Sequence, residues 1–173
     1  MNIDTPSDRG SVTRDQLERF CVEAMMKCGL TDSDARIATD VLVETDLWGV
    51  HSHGTKALRA YLRRVRAGGM KAGGKPKVIA EGPAWAMMDG DNALAMISGC
   101  RGMEVAMDKA AAAGVGFVTV RNSCHFGAAG YYAWLAARRN MIGLVMSNAD
   151  PNMSVPGGCG KIIGNNPFAY CAP

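Results

Sequence analysis

The sequence predicts an α/β protein, with a helical N-terminal unit over residues 13–76 and a mixed α/β portion over residues 77–173. Three observations carry this. The first third shows apolar positions at helical spacing behind capping signals. A Gly/Pro-rich stretch, Met70–Lys77, then reads as a linker. Beyond it, short apolar runs alternate with helical segments, which is the pattern of a layered α/β unit. Residues 1–12 are polar and are expected to form a disordered start.

The composition is that of an ordinary globular chain: 48% hydrophobic and 20% charged over 173 residues, long enough to bury a core. The net charge of +3 comes largely from basic residues between Lys56 and Lys77. Without aromatic interleaving or a stronger excess, this points to a solvated helix face or an anion-binding patch, and no nucleic-acid partner is expected. Six scattered cysteines form no C-x-x-C pair and no zinc spacing. With no signal peptide in view, they suggest a reducing cytoplasm. No apolar run reaches membrane-spanning length, so no membrane partner is expected.

In chain order, Thr13–Gln16 resembles a capping box, followed by the stripe Leu17, Phe20, Cys21, Ala24 and Cys28 ending at Gly29. A second helix starts near Thr31, with Asp32 and Asp34 in its first turn and the stripe Ala35, Ala38, Val41, Leu42 and Thr45. A third carries Leu58, Tyr61, Leu62 and Val65, with Gly68-Gly69 as its stop. Val78–Ala80 and Trp85–Asp89 read as a hairpin-like pair around Gly82-Pro83. A helix over Ala93–Ala113 closes at Gly114. Strand Val115–Val120, helix Gly127–Arg139 and strand Ile142–Ser147 follow, and read as one strand–helix–strand unit. Residues 149–167, rich in Gly, Asn and Pro, read as an irregular surface loop. Phe168–Ala172 begins another strand where the chain stops, so the chain is expected to be truncated.

Four stretches hold chemistry. His51-Ser52-His53-Gly54 precedes the third helix, where free backbone N–H groups favour an anion. An imidazole there suits proton transfer to a small acid, although a capped helix start with exposed histidines fits the same residues. In His125-Phe126-Gly127-Ala128-Ala129-Gly130, small residues at a helix start let a ligand reach the backbone; tight helix–strand packing asks for the same residues. Ser147-Asn148-Ala149-Asp150-Pro151 ends an apolar strand and either lines a crevice or makes a simple turn. Gly157–Pro167 is glycine-rich with one lysine, but Val155 and Ile162 break the P-loop pattern, and no G-x-G-x-x-G occurs. The three histidines lack a suitably spaced carboxylate, so no metal is expected.

Taken together, these stretches resemble the type 2 malate/L-lactate dehydrogenase family, with its sulfolactate, ureidoglycolate and cyclic imino-acid oxidoreductases. The matching segments are Ser52-His53-Gly54, Tyr61, Arg66–Gly69, His125–Tyr131, Ser147-Asn148, Gly157-Gly158 and Gly164-x-Asn166-Pro167. Their order and spacing agree from about residue 13 onward. The resemblance implies the family's non-Rossmann nicotinamide-binding fold, NAD or NADP as cofactor, a homodimer or higher homo-oligomer, and a small 2-oxo or 2-hydroxy acid, or a related imine, as substrate. It implies that His53 passes a proton to the substrate while Ser52 orients it. It places His125 as a proton acceptor or a cofactor contact. It places His125, Phe126, Gly127, Ala128 and Ala129 with Ser147, Asn148 and Asp150 on the cofactor.

Two departures stand out. Many members carry Arg four residues after the matching His, where this chain has Ala57; Lys56 or Arg59 is then expected to meet the substrate carboxylate. Family chains are also about twice as long, and the acid that holds the charge of the matching His lies beyond Pro173. Asp46 is the nearby acid here. The alternative reading is a non-catalytic short paralogue or an oligomerising module of the same family.

Overall fold

The computed structural model describes residues 11–173 and has the expected fold class, mixed α/β behind three helices. The elements are α1 (Arg14–Met26), α2 (Asp32–Leu47), a 3₁₀ turn (Thr55–Ala57), α3 (Leu58–Arg66), β1 (Lys77–Gly82) and β2 (Trp85–Asp89). They continue with α4 (Ala95–Ala113), β3 (Phe117–Arg121), α5 (Ala129–Ala137), β4 (Gly143–Met146) and β5 (Phe168–Cys171). Most of the start expected to be disordered lies outside the described residues.

Local signals set the first helices. Thr13 and Gln16 form the reciprocal capping box: Gln16 N–H donates to Thr13 Oγ1 at 3.2 Å, and Thr13 N–H to Gln16 Oε1 at 2.9 Å. Thr31 caps α2 through the N–H of Asp34, with Asp32 and Asp34 in the first turn. All five residues of the α2 stripe are buried, which makes α2 the centre of the front unit. On α1 the buried face is Cys21, Val22 and Met25, whereas Phe20, expected on the core stripe, is 63% exposed. The buried face centres on Cys21 and Met25, and Phe20 projects a step of about 100° to one side of it.

One core joins the front helices to the rest of the chain. It includes Met25, Leu42, Leu58, Tyr61 and Met70 with Leu94, Ile97, Tyr131 and Tyr132. Full burial of each such aliphatic side chain contributes about 1.5–3 kcal/mol. Across that core, buried Asp34 of α2 accepts from the Arg101 guanidinium of α4 at 2.9 Å. The stretch Met70–Lys77 is strapped down, contrary to a free linker. Met70 is buried, Lys71 bridges to Ala93, and Asp91 accepts from the Lys75 N–H.

Strands β1 and β2 pair antiparallel around Pro83-Ala84, as expected for the hairpin. β2 and β3 pair in parallel, with α4 as the crossover between them. Gly102 of α4 faces Val118 and Val120 of β3, so the helix lies close on the sheet. The expected strand–helix–strand order of β3, α5 and β4 is present, with the two strands in different sheets. β4 pairs antiparallel with β5 in a separate two-stranded sheet that packs on α5. The exposed segment between β4 and β5 is also less irregular than expected. Met153 and Ile163 form an antiparallel bridge, and Asn166 Oδ1 accepts from Ala149 N–H at 2.9 Å. Among the described residues, no helix is long and apolar enough to cross a membrane.

Candidate functional site

The loop from Trp48 to Gly54 leaves α2 and turns into the 3₁₀ start of α3. Two turn hydrogen bonds shape it: His53 N–H to Val50 C=O at 3.0 Å and Gly54 N–H to His51 C=O at 3.4 Å. Asp46, in the last turn of α2, holds it from below. Its Oδ2 accepts from the Thr55 N–H at 2.9 Å and the Thr55 hydroxyl at 2.5 Å, and its Oδ1 sits 3.2 Å from His51 Nδ1. The helix start that the sequence offers to an external anion is therefore already met by the chain's own carboxylate. Asp46 engages His51 and Thr55 rather than His53.

Ser52 Oγ lies 2.9 Å from His53 Nδ1, so the ring is oriented through that nitrogen and Nε2 faces away from the serine. His53 stacks on His125, with ring centroids 5.4 Å apart and planes 25° apart. The structure thus brings together three residues 73 positions apart in the chain at their extremes, Ser52, His53 and His125.

The second half-loop, Ser123–Ala128, runs from β3 into α5. Gly127 has φ +82°, a conformation that lets its N–H turn back to His125 Nδ1 at 3.3 Å. Its Cα side packs against Val41 and the His53 carbonyl. Phe126 stacks flat on buried Tyr132, centroids 4.9 Å apart, and Tyr132 donates its hydroxyl hydrogen to the Phe126 carbonyl. Ala128 is the N-cap of α5 and makes no side-chain cap bond. Among the described residues, the N–H groups of Ala129 and Gly130 donate to no acceptor, and Ala129 is buried. Small residues and unspent amides at one helix start fit the oxygen of a cofactor amide or phosphate.

The other expected contacts have their own partners among the described residues, or none. Ser147 N–H donates to Pro167 C=O at 3.1 Å, and Ser147 Oγ to Asn148 C=O at 2.9 Å. Among the described residues, Ser147, Asn148 and Asp150 share no hydrogen bond with the histidine pair. Lys56 and Arg59 are exposed and make no ion pair among the described residues.

Two residues of α3 join the site beyond those expected. Tyr61 Oη lies 2.6 Å from His125 Nδ1, and the charge of Arg64 acts on Tyr61, Cys124 and His125. A buried tyrosine at helical spacing reads first as core, and its hydroxyl partner is 64 positions away; the family resemblance includes Tyr61 but gives it no role. Arg64 is seven residues after Ala57, which puts both on one helix face.

Burial lifts the Tyr61 hydroxyl to about 12, with Arg64 opposing. Burial also lowers His125 below its ordinary 6.5, and the neighbouring His53 and Arg64 lower it further. On unfolding, the ring regains its ordinary value and takes up a proton that the folded protein refuses. Stability is therefore full above 6.5 and is lost as pH falls from there toward the lower folded value. The Tm is expected to drop between about pH 7.5 and 5.5, and a His125→Asn variant to show a smaller drop. An equal drop in that variant would show that another group is responsible.

The malate/L-lactate dehydrogenase family model matches residues 12–173. The malate dehydrogenase of Pyrococcus horikoshii is 44% identical over 162 residues, 94% of this chain and 45% of the relative. Its solved structure superposes with a TM-score of 0.89 at 42% identity, over 96% of this chain and 50% of that one. The L-sulfolactate dehydrogenase of Methanocaldococcus jannaschii is 40% identical over 88% of this chain and 44% of its own. The NAD(+) ureidoglycolate dehydrogenase of Escherichia coli K12 is 32% identical over 94% and 46%. This chain spans about half the length of these curated relatives. By its loops, its fold and a match over nearly its whole length, the chain belongs to the malate/L-lactate dehydrogenase family.

Proposed function

We propose that this chain supplies the proton-transfer half-site and part of the cofactor cradle of a nicotinamide-dependent oxidoreductase for small 2-oxo/2-hydroxy acids or related imines. One observation carries the reading. Ser52 holds His53 through Nδ1, leaving Nε2 to face a substrate beside His125 and the open start of α5. When bound, NAD(P)H supplies a hydride to the substrate carbonyl or imine carbon.

The residues of the chain do the rest. His53 Nε2 delivers a proton to the carbonyl oxygen or imine nitrogen as negative charge develops there, and takes it back in the reverse direction. Ser52 fixes the ring's orientation. His125, Phe126, Gly127, Ala128 and Ala129 form the wall on which the nicotinamide end rests, and Ser147, Asn148 and Asp150 extend it. Lys56 and Arg59 offer charge to the substrate carboxylate, with Arg64 as a third cation whose field already reaches the histidine loop. The active protein is a homo-oligomer working in the cytoplasm.

The test uses protein expressed from its complete reading frame. It is titrated with NADH and NADPH by fluorescence, then given oxaloacetate, pyruvate and a cyclic imino acid in turn. Binding of one cofactor followed by its oxidation is the expected result and identifies the substrate class. Failure to bind either cofactor would overturn the reading.

A further inference from the structure

His125 is held from one side by two groups. Tyr61 Oη is 2.6 Å and Gly127 N is 3.3 Å from the same ring atom, Nδ1. The Gly127 amide is shared, since it also reaches the Tyr61 hydroxyl oxygen. A tyrosine hydroxyl can donate or accept, but a backbone N–H only donates, so it can meet Nδ1 only where Nδ1 presents a lone pair. A hydrogen on Nδ1 would point at the amide hydrogen. A hydrogen on Nε2, with the Tyr61 hydroxyl hydrogen directed to Nδ1 and the amide spanning both acceptors, is the arrangement that sets no two hydrogens against each other.

We propose that Tyr61 is a positioning residue that locks His125 in its Nε2–H form. In that form His125 is a neutral hydrogen-bond donor to a carbonyl or carboxylate oxygen, and His53 is the imidazole that moves the proton. This rests on the function proposed above and divides the two roles that the sequence leaves open for His125.

The surroundings agree. Among the described residues, the titratable and charged groups facing His125 are His53 from the loop before α3, Tyr61 and Arg64 from α3, and Cys124 from its own loop. None is a carboxylate that would favour an imidazolium, and His53 and Arg64 both oppose one. Burial keeps Tyr61 protonated through the neutral range, so it remains a donor. Two stacked imidazoles also resist carrying charge together. A neutral His125 thus leaves the proton transfer to His53.

The test reads the tautomer directly, by long-range ¹H–¹⁵N correlation of the histidine rings in complete-reading-frame protein at about pH 7.5. The expected result is an unprotonated Nδ1 and a protonated Nε2 for His125. Tyr61→Phe should bring in the Nδ1–H form, raise the His125 titration midpoint and lower kcat/KM by about tenfold, the effect of one lost hydrogen bond. His125→Gln keeps an N–H donor but cannot titrate. Whatever the fall in its rate, its kcat/KM–pH profile should keep the parent's inflections, because no proton transfer is lost. Addition of NADH alone and of oxaloacetate alone shows which oxygen the Nε2–H meets. A Nδ1–H ring in the parent, an unchanged tautomer in Tyr61→Phe, or a missing inflection in the pH profile of His125→Gln would each overturn the proposal. The tautomer is read without cofactor or substrate, so failure to bind or oxidise NADH overturns only the proposed function.

Discussion

His53→Ala is expected to lower turnover of the complete protein by about 10²–10⁴-fold, the usual contribution of a positioned proton donor. Cofactor affinity and Tm should stay near those of the parent. The reason lies in how little else the ring does. It is half-buried and outside the hydrophobic core, and among the described residues its partners are Ser52 and the stacked face of His125. Removing it breaks no helix cap and leaves no buried polar group orphaned, since the Ser52 hydroxyl is exposed and water can replace the ring. Loss of turnover with an unchanged KM for NADH would isolate the proton step. Ser52→Ala should be milder, because the ring keeps its nitrogen and loses only its orientation. Parent-like turnover in His53→Ala would sink the role assigned to it and leave His125 as the candidate acid.

What could be read in the sequence was what sequence neighbours decide. The capping box of Thr13 and Gln16, the Thr31 cap and the stripe of α2 all depend on residues within a turn or two of one another. The Ser52–His53 contact also spans adjacent residues. What could not be read was partner choice at a distance. β4 takes β5 rather than β3, because two short strands on one side of α5 satisfy each other's backbone and no local pattern records it. Phe20 looks like core by spacing, yet it stays 63% exposed while Leu17 and Ala24 beside it pack against the core. The site divides in the same way. Both histidine loops were visible, because glycine and small residues beside titratable side chains are conspicuous. The links that set their chemistry, Tyr61 to His125 and Asp46 to Thr55, join helices to loops that fold onto them.

Gly54→Ala is expected to damage both stability and turnover, and the cause is the Asp46 carboxylate. A Cβ at position 54 would overlap that carboxylate, which lies directly against the glycine. The carboxylate cannot step aside freely. It accepts two hydrogen bonds from Thr55 and faces His51, and its side chain is only 16% exposed. Either the loop moves or Asp46 turns out and leaves the α3 start uncapped. Overpacking of this kind costs about 1–3 kcal/mol, and each lost hydrogen bond about 1 kcal/mol, so a clear drop in the urea midpoint should follow. Because Ser52 and His53 sit on the displaced turn, a shift near 1 Å would also cost about 10²-fold in rate. The double variant separates this cause from general fragility of the loop. With Asp46→Ala already in place the clash is gone, so adding Gly54→Ala should cost little more in stability. If the two losses simply add, the carboxylate is not what the glycine makes room for.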